Sequence, residues 1–244
     1  MSNIIEGRNP VTEALRAGRE IDKILIAKGA KGSIEKIRAM AYEKGIMVQY
    51  TERAKLNEMS QTGAHQGVIA IALTHGYSSV EEILSRAREK SEPPLIVILD
   101  EITDPHNLGS VLRTADAAGA HGVIIPKRKS AGFGPVVSKV SAGAAEYMPV
   151  ARVSNIAQTI ERLKEENIWI YGAHQNAATN YTDVDFKGAV GLVIGSEGKG
   201  IGRLVCEKCD VLVSIPMRGK ITSLNASVAA GVLLYEAVRQ RMNS

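Results

Sequence analysis

The run Leu95-Ile-Val-Ile-Leu99 leads into Asp100-Glu-Ile-Thr-Asp-Pro-His-Asn-Leu-Gly109, and Val111, Leu112, Ala115 and Ala118 follow at helical spacing. A continuous apolar run bounded by a polar loop is the pattern of a strand buried on both faces of a parallel sheet. The strand–loop–helix unit repeats outward from there. Downstream come a strand at 122–125, a basic loop at 126–135, a helix at 136–144, a strand at 147–153, a helix at 156–166 and a strand at 168–172. A strand at 188–194 then runs into Gly195-Ser-Glu-Gly-Lys-Gly200, followed by a helix at 201–208, a strand at 211–215 stopped by Pro216, and a last helix entered through Thr222, Ser223 and Asn225. Repeated βα units predict a mostly parallel sheet with helices on both faces. Ligands in such sheets bind beyond the carboxyl ends of the strands, which singles out the loops 100–109, 195–200 and 215–225. The last helix is apolar almost all round, through Ala226, Val228, Ala229, Ala230, Val232, Leu233, Leu234, Ala237 and Val238. Such a helix is expected to be buried on more than one side, against its sheet and against a partner subunit.

Upstream, residues 76–93 carry a polar start, a charged helix at 80–90 and Ser91-Glu-Pro-Pro94, whose prolines cannot continue a helix. This stretch reads as a linker between a first domain, 1–75, and a second, 94–244. The first domain alternates in type: helices at 9–17, 33–44 and 53–59, and strands at 21–27, 46–50 and 68–73. Its loops hold Glu6-Gly-Arg-Asn9 and Gly63-Ala-His-Gln-Gly67, for which ordinary turn chemistry is the plainer reading.

The chain has 244 residues, ample for a hydrophobic core, with 45% hydrophobic and 23% charged residues. No apolar run approaches a membrane span, and the N-terminus lacks the apolar core of a signal peptide. Two cysteines and no export signal fit a reducing cytoplasm. A net charge of +4 permits a polyanionic partner, while only 4% aromatic residues disfavours base stacking as the main recognition mode.

The loop at 195–200 is not a P-loop, because Lys199 is followed by Gly200, and its glycines do not form G-x-G-x-x-G. A tight strand-to-helix turn explains it as well as a ligand loop does. Asn107 is placed to cap the helix that carries Arg113, and a surface salt bridge to Asp116 or Glu101 is the bland role for Arg113. Lys127-Arg-Lys129 is a solvated loop unless a site lies beside it. Cys206-Glu-Lys-Cys209 lacks the second pair a structural zinc would need, and it sits at a helix end, so packing is expected and no metal site is assigned. His65, His106 and His174 read as loop residues.

Three segments taken together resemble the SpoU/TrmH family of RNA ribose 2′-O-methyltransferases, within the SPOUT superfamily. They are Asp100 through Asp116, Leu192-Val-Ile-Gly-Ser-Glu-Gly-Lys-Gly200, and Ile215-Pro-Met through Ser223-Leu-Asn-Ala-Ser-Val228. Glu6-Gly-Arg-Asn-Pro-Val-Thr-Glu-Ala14 looks like the start of that family's RNA substrate-binding domain. The nearest resemblance is to the 23S rRNA guanosine-2′-O-methyltransferase branch. It implies an L30e-like α/β domain, then a trefoil-knotted sheet domain that binds S-adenosylmethionine and pairs with its twin in a cytoplasmic homodimer. It assigns Gly195, Gly198, Ile215, Met217 and Leu224 to the cofactor, and Asn107, Arg113, Glu197, Ser223 and Asn225 to the reaction. Arg8, Asn9, His65, Gln66, Lys127, Arg128 and Lys129 would then meet RNA.

The implied reaction is displacement of a sulfonium methyl by a ribose 2′-oxygen, which must lose its proton as it attacks. The resemblance offers Arg113 as the base. Free arginine has a pKa above ~12, so a charged Arg113 that steadies the developing alkoxide is the better physical expectation. A tRNA substrate, a non-catalytic RNA-binding or assembly factor, and an α/β enzyme of small nucleotides are the competing readings.

Overall fold

The computed structural model describes residues 4–60, 62–72 and 76–242. The chain divides into two compact units, Met1–Gly76 and Tyr77–Ser244.

The first unit contains β1 (Ile4–Glu6), α1 (Arg8–Arg16), β2 (Ile21–Ala27), α2 (Ile34–Glu43), β3 (Met47–Thr51), α3 (Arg53–Met59) and β4 (Val68–Ala72). Its mixed sheet has the order β1-β4-β2-β3, with only β2 and β3 parallel. Val11 and Leu15 of α1 and Ile34, Ile37 and Ala41 of α2 pack on one face; Leu56 of α3 packs on the other. β1 was not legible in the sequence, being three residues whose alternation cannot be counted. Leu73, expected to end β4, lies outside the described residues.

The second unit runs α4 (Val80–Glu89), β5 (Leu95–Asp100), α5 (Pro105–Ala117), β6 (Gly122–Pro126), α6 (Pro135–Val140), β7 (Val150–Val153), α7 (Ile156–Glu165), β8 (Trp169–Ala173), β9 (Thr179–Asn180), β10 (Val190–Gly195), α8 (Arg203–Lys208), β11 (Val211–Ser214) and α9 (Ala226–Met242). Its seven strands lie in the order β7-β6-β5-β10-β8-β11-β9, and every pairing is parallel. Both faces are covered, as the continuous apolar runs demand. Leu95, Val97 and Leu99 of β5 face α5 and α9, while Ile96 and Ile98 face α4, α7 and α8. Each such fully buried side chain contributes about 1.5–3 kcal/mol over its exposed state, before entropy is charged against it.

Of the stretch 76–93, expected as a linker, residues 77–93 belong to this unit. Ser79 caps α4 through a reciprocal pair of bonds with Glu82, and Val80, Ile83, Leu84 and Ala87 pack under the sheet. The helix expected over 136–144 ends at Val140. Ala142 and Gly143 both adopt positive φ (50° and 93°), which no helix accommodates.

The last helix is anchored at its far end. Gln240 holds the backbone of Val184 and Phe186, and the Arg241 guanidinium donates to the carbonyls of Pro93, Pro94, Phe186 and Gly188. Four carbonyls on one guanidinium tie the end of α9 to the approach of β5.

His121, which follows α5 and is fully buried, accepts the Leu95 N–H at Nδ1 (3.0 Å) and through Nε2 meets the Glu92 carboxylate (3.1 Å). Burial lowers its pKa, and the pull of Glu92 only partly offsets that. The unfolded chain therefore takes up a proton, near pH 6.5 and below, that the folded ring resists. Stability from this ring is fully present above pH ~6.5 and is lost on acidification, at up to about 1.4 kcal/mol per pH unit. Thermal melts should show a midpoint that falls between about pH 6.5 and 5, with the slope flattened in His121→Gln. An unchanged slope in that variant would remove the assignment.

Candidate active site

The carboxyl ends of β10, β8 and β11 are side by side in the sheet, and a cavity of about 280 Å³ opens beyond them. Its walls come from the end of β8 and the turn after it (Ala173–Gln175), the end of β10 and its loop (Ile194–Gly200), and residues between Val213 at the end of β11 and Ala229 in the first turn of α9. Gly195, Gly198, Ile215, Met217 and Leu224, the five residues expected to hold a cofactor, all line it, as do Glu197 and Ser223. Volume and lining fit a small ligand with one apolar slot and a few polar groups, at the lower end of the usual ~300–1,000 Å³.

The 195–200 loop is folded back on itself. Ser196 and Gly200 exchange both backbone bonds (3.1 and 2.8 Å), and a Cβ on Gly195 would sit 2.0–2.2 Å from backbone atoms of Gly200 and Ile201. Only glycine fits where two backbones approach so closely. At the base of the loop Asp100, largely buried, accepts the Gly202 N–H at 2.7 Å. Burial raises the pKa of its carboxyl, and the Gly202 bond opposes the rise.

The tip of that loop carries Glu197 to a polar cluster. Asn107, buried inside α5, donates Nδ2 to Glu197 Oε1 at 3.0 Å. Asn225 donates Nδ2 to Asn107 Oδ1 at 2.9 Å and also to Glu197 Oε1. The other end of the Asn225 amide caps α9, where Oδ1 accepts from Ser227 N (3.0 Å), Ser227 Oγ (2.6 Å) and Val228 N (3.3 Å). One side chain thus starts the helix and joins the cluster. Three residues separated by 90 and 118 positions in sequence meet here, with one Glu197 oxygen receiving two amides.

Two expectations need correction. Asn107 does not cap its helix: Asp104 does, accepting the His106 N–H at 2.9 Å, with Pro105 at the first helical position. That frees the Asn107 amide for the cluster. Arg113 lies six residues on, about 9 Å along the helix and turned to another side, where it is exposed. It makes no ion pair or hydrogen bond among the described residues, so neither the expected Asp116 nor the Glu101 bridge forms. Glu101 pairs with Lys129 instead (2.7 Å).

The residues expected to meet RNA divide in the same way. In the first unit, Arg8 donates Nε to the Gln66 carbonyl (3.1 Å), its backbone N–H to Gln66 Oε1 (3.2 Å), and Nη1 to Ser33 Oγ (3.3 Å). This draws the two glycine-bearing loops together and leaves Asn9 and Gln66 exposed. His65 is buried, with Nδ1 accepting from Gly67 (3.0 Å) and Nε2 on Asn57 Oδ1 (2.7 Å). Both ring nitrogens are committed, so His65 shapes the loop and offers nothing to a ligand. In the second unit, Lys127, Arg128 and Lys129 are all exposed; Lys129 is occupied by Glu101.

The sequence reading missed Ala173, His174 and Gln175. The signal was available, because they lie at the carboxyl end of β8, but the short strand and the polar run after it gave no motif. Cys206 and Cys209 donate to the carbonyls of Ile201 and Val205, and burial pushes the Cys209 thiol up to about 12, so both are packing residues. No group of His, Cys, Asp and Glu able to hold a metal occurs among the described residues, and no described helix is long and apolar enough to cross a membrane.

Residues 94–235 match the SpoU rRNA Methylase family, and residues 4–78 match the family described as RNA 2′-O ribose methyltransferase substrate binding. A relative from Bacillus subtilis (strain 168), named "Putative TrmH family tRNA/rRNA methyltransferase YacO", is 49% identical over 236 residues, covering 96% of this chain and 94% of its own. The SpoU methyltransferase AviRb from Streptomyces viridochromogenes, solved in complex with AdoMet, superimposes with a TM-score of 0.64 at 28% identity, covering 99% of this chain and 91% of that one. An AdoMet-bound rRNA methyltransferase from Sinorhizobium meliloti gives 0.61 at 26% identity, over 97% and 86%.

Proposed function

The chain belongs to the SpoU rRNA methylase family, and from that premise we propose that it methylates a ribose 2′-hydroxyl of RNA, a guanosine of 23S rRNA in the first instance. The observation that carries the reading is the Asn107–Glu197–Asn225 cluster, whose Glu197 lines a cavity walled by the segments at the ends of β8, β10 and β11. S-adenosylmethionine fits that cavity. The backbone at Gly195, where an added Cβ would collide with Gly200 and Ile201, can serve polar groups, while Ile194, Val213, Ile215 and Leu224 supply an apolar wall. When bound there, the cofactor supplies an electrophilic methyl on a sulfonium.

The protein's own part is positioning. Asn107 and Asn225 hold the Glu197 carboxylate in one orientation, and Ser223, exposed on the cavity wall, is free to meet a ribose hydroxyl. Arg113 is exposed and makes no ion pair or hydrogen bond among the described residues, which suits a guanidinium that holds a phosphate and steadies the alkoxide. Asn9 and Gln66 of the first unit and Lys127 and Arg128 of the second are the remaining candidates for RNA contact. The half-exposed Val228 and Tyr235 of α9 support a homodimer through that face, a proposal that a monomer by light scattering at micromolar concentration would remove.

Isotope-labelled methyl transfer from S-adenosylmethionine to unmodified RNA, followed by mapping of ribose methylation, tests the assignment. Label in a 23S rRNA guanosine is expected; label confined to tRNA would move the substrate, and no transfer to either would remove the activity. In the same assay Arg113→Lys should keep measurable turnover where Arg113→Ala loses about 100-fold or more, if charge is what counts.

A further inference from the structure

The segment joining β11 to α9 has two sides. Ile215, Met217 and Thr222 to Leu224 line the cavity, whereas Arg218, Gly219, Lys220 and Ile221 do not and are exposed. From Pro216 to Leu224 no residue makes a hydrogen bond or ion pair among the described residues. Several cations elsewhere in this unit have a carboxylate within reach: Lys129 takes Glu101, Lys164 takes Asp210, Lys208 takes Glu161, Arg162 takes Glu81 and Arg239 takes Glu236. Arg218 and Lys220, like Arg113, Lys127 and Arg128, have none among the described residues. They stand a few residues before Ser223 and Asn225 in the same loop, exposed and apart from the residues that line the cavity. A polyanion is the partner two unpaired cations of this kind are suited to bind.

We propose that Arg218 and Lys220 grip phosphates of the RNA strand whose ribose is presented to the Asn107–Glu197–Asn225 cluster. The inference rests on the reading of this site as one that acts on RNA. The two cations bind the strand without touching the cofactor, so the cavity and the grip are separate residues of one loop. Arg supplies a fork that can take two phosphate oxygens, and Lys a point charge that tolerates different backbone geometries.

The test is RNA binding rather than turnover. The Arg218→Ala/Lys220→Ala double variant and the full-length protein are titrated with unmodified, transcribed 23S rRNA between about 50 and 300 mM salt, the range over which phosphate contacts are read from the salt dependence. Loss of two single-strand phosphate contacts should make the slope of log K against log salt shallower by about 1.4, and lower the affinity near 0.1 M salt about 25-fold. Affinity for S-adenosylmethionine should stay within about twofold, since a twofold change is under half a kcal/mol. The charge-keeping pair Arg218→Lys/Lys220→Arg should restore the slope. An unchanged slope in the double variant overturns the proposal. So does a joint loss of RNA and cofactor affinity that the charge-keeping pair fails to restore, because the loop would then be cavity wall alone. If the native protein transfers no methyl but the slopes differ as stated, the grip stands and the reaction is what falls.

Discussion

Gly195→Ala is expected to lower affinity for S-adenosylmethionine by about 100-fold or more, the effect of roughly 3 kcal/mol of overpacking. The added methyl would lie 2.0 Å from the carbonyl carbon of Gly200, 2.2 Å from its oxygen and 2.2 Å from the nitrogen of Ile201. All three are backbone atoms in a turn closed by the Ser196–Gly200 bonds, so none can swing aside as a side chain would. The turn must open, and opening it carries Glu197 away from Asn107 and Asn225. Gly198→Ala is the control. That residue has φ +83° with open space around it, so the cost is backbone strain alone, about 1–2 kcal/mol. Calorimetric titration of both variants reads the difference. Native-like affinity in Gly195→Ala would show that the turn is far looser than its close approach implies.

Asn225→Asp should separate folding from catalysis. Aspartate caps a helix as well as asparagine, so the bonds from Ser227 and Val228 survive and the melting temperature should move little. The Nδ2 donor is lost, and a carboxylate oxygen takes its place against Glu197 and Asn107. Two carboxylates at hydrogen-bond distance repel or share a proton, and either outcome abolishes the orientation of Glu197. A fall in kcat of about 100-fold, with cofactor affinity much less changed, is expected from losing one preorganised polar contact. Asn225→Ala should lose activity and also about 1 kcal/mol of stability with its cap. If Asn225→Asp turns over within threefold of the native protein, the cluster has no part in the reaction.

Much of this was legible before any coordinates. The unbroken apolar runs of β5 and β10 require cover on both faces, and the sheet has it. Motif loops at strand ends were legible too, through the three segments taken together, although the 195–200 loop alone reads equally well as a tight turn. The misses have two causes: partners that sequence spacing does not reveal, and backbone conformation. The carboxylate that takes the Asn107 amide is 90 residues away, so the residue looked like a cap when Asp104 and Pro105 already formed one. His65 looked like a surface contact because its partner Asn57 gave no sign of facing it. β1 and β9 are too short for alternation to be counted and exist only because a neighbouring strand offers an edge. Ala142 and Gly143 end α6 by backbone conformation, which composition does not reveal.

The clasp of Arg241 on Pro93, Pro94, Phe186 and Gly188 has a consequence for the order of events during synthesis. The ribosome delivers β5 early, yet the carbonyls leading into it find their donor only in the last turn of the last helix. Phe186, fully buried, likewise waits for Gln240 to hold its backbone. The first unit, whose pairings lie within residues 4–72, can close while translation continues. The second can complete only once α9 has left the ribosome. A nascent chain that has not yet delivered α9 exposes unpaired backbone and an apolar sheet face, the features on which chaperones and proteases act.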